Sequence, residues 1–141
     1  MASIRVLVIC VFRHGQKILV ARGFDAVKAE WFLRPVGGAV EFGETAVDAL
    51  RREVREELGA EILDPVRLGV LENCFTYSGE PGHEVVFVYD AGFEDRELYV
   101  RRELPLNEPI WDGAARWIDL DSLPNEPLYP DGLVQLLRTA V

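Results

Sequence analysis

The chain is 141 residues long, with 49% hydrophobic and 28% charged residues, which is the composition of one soluble globular domain with a core of its own rather than of a disordered or fibrous chain. Its 24 acidic residues exceed its 15 basic ones, a net charge of −9. That balance opposes sequence-independent binding to long nucleic acid or to an anionic membrane, while leaving open a small phosphorylated ligand whose charge is neutralised locally.

In chain order, Ile4 to Phe12 is predicted as a central strand. It is too short, and too poor in small residues at its end, for a secretory signal, and no run is long enough to span a membrane, so a reduced cytoplasm is the expected address. Arg13 to Gln16 reads as a turn into a second strand, Lys17 to Ala21, and Phe24 to Trp31 as a loop. Strand character returns at Trp31-Phe32-Leu33. Arg34-Pro35 then enters a glycine loop, where Gly37 and Gly38 let backbone groups approach a metal ion or phosphate closely and Arg34 is a candidate phosphate contact. Cys10 and Cys74 lack metal-ligand spacing and are expected as buried, reduced thiols.

The loop runs into the most informative segment, an acidic helix. Thr45 followed by Asp48 predicts an N-cap, Gly59 a stop, and Val47, Leu50, Val54 and Leu58 an apolar stripe that packs on a sheet. Off that stripe lie Glu53, Glu56 and Glu57, neighbours at i+3 and i+4 whose like charges repel. Arg51, Arg52 and Arg55 compensate in part. A hard divalent cation compensates better, since Mg²⁺ takes oxygen ligands from one or two carboxylates together with substrate phosphate. Glu44 stands at the junction of loop and helix, beside the cluster.

Past the helix, Ile62 to Cys74 predicts one or two strands, Ser78 to Gly82 a turn, and Val85 to Tyr89 a further strand, with His83 and Glu84 at a loop-to-strand boundary where site residues are found. Charged residues dominate Phe93 to Pro109. Trp111-Asp112-Gly113 reads as a turn, Ala115 to Leu120 as a strand, and Pro130-Asp131-Gly132 as the start of a terminal helix with Leu133, Leu136, Leu137 and Ala140 on one face. The alternation of strands, helix, strands and helix predicts an α/β chain with a mixed sheet between helices.

The segment Gly38 to Ala60 resembles the Nudix box: Gly, five residues, Glu, seven residues, Arg-Glu, an aliphatic residue, any residue, Glu-Glu, any residue, Gly and a closing aliphatic residue, met by Gly38, Glu44, Arg52, Glu53, Val54, Glu56, Glu57, Gly59 and the small Ala60. The order of elements also resembles the α/β/α sandwich of that family. The resemblance implies a single-domain hydrolase of nucleoside diphosphate derivatives dependent on Mg²⁺, with Mn²⁺ as substitute. It implies metal ligands among Glu53, Glu56, Glu57 and the Gly38 carbonyl, a general base that is Glu53, Glu56 or a loop glutamate, Arg52 fixing carboxylate rotamers, and Glu44 supporting the loop or a second metal. Members of the family often take one more glutamate from outside the box, for which Glu97, Glu103 and Glu108 are candidates. Tyr77 lies 17 residues past Ala60, about where diadenosine-polyphosphate-cleaving members carry a tyrosine. With Arg34, Gly37 and Glu103 it completes the expected substrate contacts.

Such a chemistry is attack of water on a polyphosphate, with the cation neutralising charge on the phosphoryl group and a carboxylate taking the proton. The expected partner is a small nucleotide, with no membrane and no long nucleic acid, and a homodimer is admissible. The competing classes are a non-catalytic nucleotide- or metabolite-sensing module, which usually lacks box carboxylates, a prenyl diphosphate isomerase, which looks longer and carries cysteine and glutamate determinants not found here, and a structural role in which the acidic helix docks a basic partner and needs no metal.

Overall fold

A strand apolar on both faces needs a layer on each side of it, and strand β1 (Arg5–His14) meets that requirement. The computed structural model describes residues 2–107, 113–122 and 126–139. Along β1, Val8, Cys10 and Phe12 point into one core with Ala49, Leu50 and Val54 of helix α1 (Ala46–Leu58). The alternate residues Leu7, Ile9 and Val11 point into a second core with Leu133 and Leu137 of helix α2 (Leu133–Thr139). Period-two alternation in one strand therefore generates the two-sided α/β/α sandwich.

The remaining strands are β2 (Lys17–Asp25), β3 (Glu30–Arg34), β4 (Val36–Ala39), β5 (Ile62–Tyr77), β6 (Glu80–Phe93), β7 (Glu103–Pro105) and β8 (Ala114–Asp119). They join in one sheet of order β5-β6-β1-β2-β8-β7, with β3 paired to β2 and β4 paired to β1. The β1 and β6 pair is parallel and the others are antiparallel, so the sheet is mixed.

Several boundaries differ from expectation for identifiable reasons. The segment Phe24 to Trp31 is a hairpin with a short turn at 26–29, because Phe24 pairs across from Trp31 with the two rings 4.8 Å apart, and the Asp25 carboxylate accepts from the turn N–H groups of Val27 and Lys28. Gly37 and Gly38 belong to strand β4, opposite Ile9 and Val8, and the loop begins only after Ala39. Pro35, which lacks a donor, sits where the chain leaves β2 and joins β1. Only Ser78 and Gly79 form the turn between β5 and β6, so Glu80, Pro81 and Gly82 lie in the ladder and His83 and Glu84 are within a strand rather than at its mouth. Strand β5 is a single strand with irregular register between Leu63 and Val66 and between Arg67 and Gly69.

Leu133 and Leu137 are buried in α2 as expected; Ala140, Trp111 and Asp112 lie outside the described residues. Both cysteines are free. Cys10 is buried, and burial pushes its thiol well above the usual range, whereas Cys74 is exposed, contrary to expectation, because it lies on the solvent side of β5. No helix among the described residues is long and apolar enough to cross a membrane.

Candidate functional site

Helix α1 is fixed at both ends. Thr45 accepts a hydrogen bond from the Asp48 backbone N–H at 3.3 Å, and Gly59, at φ 64°, donates to the Arg55 carbonyl at 2.9 Å. Leu50 and Val54 are fully buried against the sheet, with Val47 and Leu58 half-buried at the margins. This rotation of the helix turns Arg52, Glu53 and Glu56 toward strand β4.

Arg52 is the centre of the site. Its Nε and Nη2 donate to the two oxygens of Glu44 at 2.8 and 3.0 Å, a forked pair that matches the planar guanidinium. Its Nη2 also donates to the Ala39 carbonyl at 3.0 Å, and its Nη1 to Glu53 at 3.0 Å and to Glu56 at 3.3 Å. Glu41 stands 3.8 Å away. One guanidinium thus faces four carboxylates, and the site retains an excess of negative charge. Arg55, expected to share the load, turns away to Glu61 at 2.6 Å.

Glu44 closes the loop onto itself: its carboxylate accepts from the Glu41 N–H at 3.0 Å, while its own N–H donates to the Glu41 carbonyl at 3.0 Å. The Arg52 guanidinium, then the Glu41 N–H, hold its carboxyl below the ordinary value. Glu53 moves the other way. Burial raises its pKa, Arg52 opposes the shift, and the nearby charges of Glu56 and Glu41 add to it.

The glycines explain the closeness of helix and strand. A Cβ on Gly38 would lie 2.3 Å from the Glu53 carboxyl carbon and 2.5 Å from both its oxygens, so the carboxylate rests on the bare backbone of β4. A Cβ on Gly37 would lie 2.0 Å from the Val8 carbonyl oxygen, so the pairing of β4 with β1 itself requires that glycine.

The exposures grade outward, from 13% for the Glu53 side chain to 58% for Glu56. Glu53, Glu56, Glu57 and the Gly38 carbonyl offer hard oxygen donors only, in a negatively charged setting, which is the donor chemistry that Mg²⁺ or Mn²⁺ takes. No group of three carboxylates converges on one point among the described residues, because Arg52 draws Glu44, Glu53 and Glu56 onto itself. The residue set fits a divalent cation that would compete with Arg52 for Glu53 and Glu56.

Glu44, Arg52, Glu53, Glu56 and Gly38 are brought together. Arg34 is 22% exposed and lies 4.0 Å from Glu84 of β6. Tyr77 lies at the tip of the β5 and β6 hairpin, donating to the Phe24 carbonyl at 3.1 Å. Glu103 of β7 accepts from Arg116 at 3.2 Å, and Glu97 lies in a 3₁₀ turn capped by Asp95. Glu108 falls outside the described residues. The structure adds Glu41 and the Ala39 carbonyl, which sequence reasoning passed over; the short spacing from Glu41 to Glu44 within one tight loop is the signal that could have found the first.

The family profile of the NUDIX domain matches residues 1–138. A low-salt glycan biosynthesis protein of Haloferax volcanii is 31% identical over 123 residues, covering 80% of this chain and 78% of that protein. The mouse oxidized purine nucleoside triphosphate hydrolase is 26% identical over 134 residues, covering 93% and 76%. The crystal structure of a MutT NUDIX hydrolase from Burkholderia pseudomallei superposes with a TM-score of 0.73 at 28% identity, covering 97% of this chain and 98% of that one. With the box residues gathered around Arg52 and the sandwich that carries them, the chain belongs to the Nudix hydrolase family, whose members act on phosphorus-containing anhydrides.

Proposed function

We propose that this chain is a divalent-metal-dependent pyrophosphohydrolase that cleaves the diphosphate linkage of a nucleoside diphosphate derivative, releasing a nucleoside monophosphate and a phosphorylated remainder. The observation that supports this most is the Glu53 carboxylate resting on Gly38, within one guanidinium's reach of Glu44 and Glu56. An acidic helix needs no such contact to be a solvated face.

Glu53, Glu56, Glu57 and the Gly38 carbonyl would hold the cation, Mg²⁺ with Mn²⁺ as substitute. When bound, it neutralises charge on the non-ester phosphate oxygens and acidifies water. Glu53 or Glu56 accepts the proton of the attacking water. Burial favours Glu53 for that role in the metal-free chain, and a bound cation works against the same shift. Arg52 sets the carboxylate rotamers, and Glu44 keeps the loop folded beneath it. Arg34 is proposed to contact the substrate. The resemblance to a protein named for oxidized purine nucleoside triphosphates supports a nucleotide substrate.

The test is a panel of nucleoside triphosphates, dinucleoside polyphosphates and nucleotide sugars with Mg²⁺ or Mn²⁺, products identified by mass. Glu56→Gln is expected to lower turnover on the order of 100-fold or more with the fold intact, since Glu56 lies off the buried stripe. Near-wild-type rates in both Glu56→Gln and Glu57→Gln would remove the proposal.

A further inference from the structure

Of the four carboxylates that face Arg52, Glu41 alone makes no side-chain hydrogen bond among the described residues; it stands 3.8 Å from Nη2 with its side chain 67% exposed. Its backbone is nevertheless fixed. The Glu41 N–H donates to the Glu44 carboxylate and its carbonyl accepts from the Glu44 N–H, both at 3.0 Å, while the Val40 N–H before it is tied to the Val6 carbonyl at 2.9 Å. Glu41 is thus held in place by the residue that Arg52 grips, and only its side chain is free to turn.

Arg52 uses its donors in two directions. The side fork, Nε and Nη2, holds Glu44 at 2.8 and 3.0 Å, and this pair serves the loop. The end of the guanidinium gives Nη2 to the Ala39 carbonyl and Nη1 to Glu53 and Glu56. Glu53 and Glu56 are also two of the carboxylates proposed to hold the cation, so in the metal-free chain Arg52 supplies the positive charge that the cation would bring. A dication there takes the acceptors from Nη1 and repels the guanidinium as a like charge.

Losing two charged acceptors is unfavourable for a partly buried arginine unless another takes their place. Glu44 is engaged by the side fork and the Ala39 carbonyl by Nη2. Glu41 is the remaining carboxylate beside the guanidinium, and closing the 3.8 Å gap takes a side-chain rotation with no movement of the tied backbone.

We infer that Glu41 is a positioning residue: it receives the end of the Arg52 guanidinium when Glu53 and Glu56 turn to the metal ion. The fork on Glu44 is kept, the loop stays folded in both states, and cation binding becomes an exchange of partners rather than a net loss of them. This rests on the metal-dependent reading of the site given under the proposed function.

Glu41 also acts on the site through space. Burial raises the Glu53 carboxyl and the charge of Glu41 adds to that shift, so an acid at position 41 attracts a cation even without Arg52. A double-mutant cycle separates the two effects. The test is Mn²⁺ affinity, read by electron paramagnetic resonance on the full chain without substrate, for wild type, Glu41→Gln, Arg52→Gln and the double variant. Glu41→Gln is expected to bind Mn²⁺ about tenfold more weakly, with an unchanged melting temperature in metal-free protein, where its carboxylate makes no hydrogen bond. In the Arg52→Gln background the same substitution is expected to cost less than about twofold. Equal losses in both backgrounds would reduce Glu41 to a simple counter-charge and overturn the inference. Should Arg52→Gln fail to fold, a crystal soaked in Mg²⁺ decides: the Glu41 carboxylate is expected at about 2.8 Å from an Arg52 nitrogen, and Arg52 still bonded to Glu53 and Glu56, or Glu41 turned to solvent, contradicts it. Mn²⁺ affinity indifferent to Glu41 sinks this inference and spares the proposed function; no Mn²⁺ bound by the wild type sinks the two together.

Discussion

A methyl group added at Gly37 meets the backbone of β1, and one added at Gly38 meets the far end of a flexible side chain. The two neighbours should therefore fail differently. Gly37→Ala is expected to destabilise the fold by about 3 kcal/mol, read by chemical denaturation. Gly38→Ala is expected to keep its melting temperature while losing roughly 100-fold in turnover, because Glu53 must move by an ångström or more. The sequence asks for glycine at both positions so that backbone can approach a ligand; the structure adds a second demand, since a side chain at Gly37 would meet Val8 and one at Gly38 would meet Glu53. Spacing reveals a demand for space without revealing who fills it.

The two carboxyl groups flanking Arg52 predict opposite responses to pH. Glu44 is held below its ordinary value by Arg52, so it contributes stability that is present above the ordinary carboxylate range and lost as pH falls through its lowered value. Glu53 is held above its ordinary value by burial, so its contribution is present below the ordinary range and lost as pH rises through the raised value. In metal-free protein at neutral pH, Glu44→Gln is accordingly expected to lower the melting temperature, with the difference shrinking toward pH 3, whereas Glu53→Gln is not expected to lower it. A larger loss in Glu53→Gln than in Glu44→Gln would contradict that assignment.

At the scale of elements, α1 was the most legible part of the chain. Its cap, its stop and its stripe are local signals that agree, and the structure keeps all three. Thr45→Ala should cost about 1 kcal/mol by thermal or chemical unfolding, and Val54→Asp, at a fully buried position, should abolish the folded state as seen by circular dichroism. The strands were less legible, because their ends depend on partners far away in sequence. Glu80-Pro81-Gly82 carries turn residues but lies in the ladder opposite Phe75, Thr76 and Tyr77, and two adjacent glycines form a strand because β1 supplies the pairing. Glu84 is the clearest case: its position beside Arg5 follows from a parallel pairing whose partners lie 79 positions apart in the chain, which no local pattern announces.

For the whole molecule, the alternation of apolar residues in β1 and the order of strands and helices were enough to anticipate a mixed sheet between two helical layers. What they could not anticipate is that β4 would pair with β1 alone, or that Arg5 and Glu84 would meet across the parallel pair of β1 and β6. The net charge of −9 and the carboxylate excess around Arg52 make a divalent cation the natural counter-charge of the site. The most direct measurement follows product formation from a nucleoside diphosphate derivative while Mg²⁺ is titrated into metal-stripped protein, wild type beside Glu56→Gln. Nucleoside monophosphate that appears only with the cation, and on the order of 100-fold more slowly in the variant, is the predicted result. Turnover indifferent to both the cation and Glu56 would contradict it.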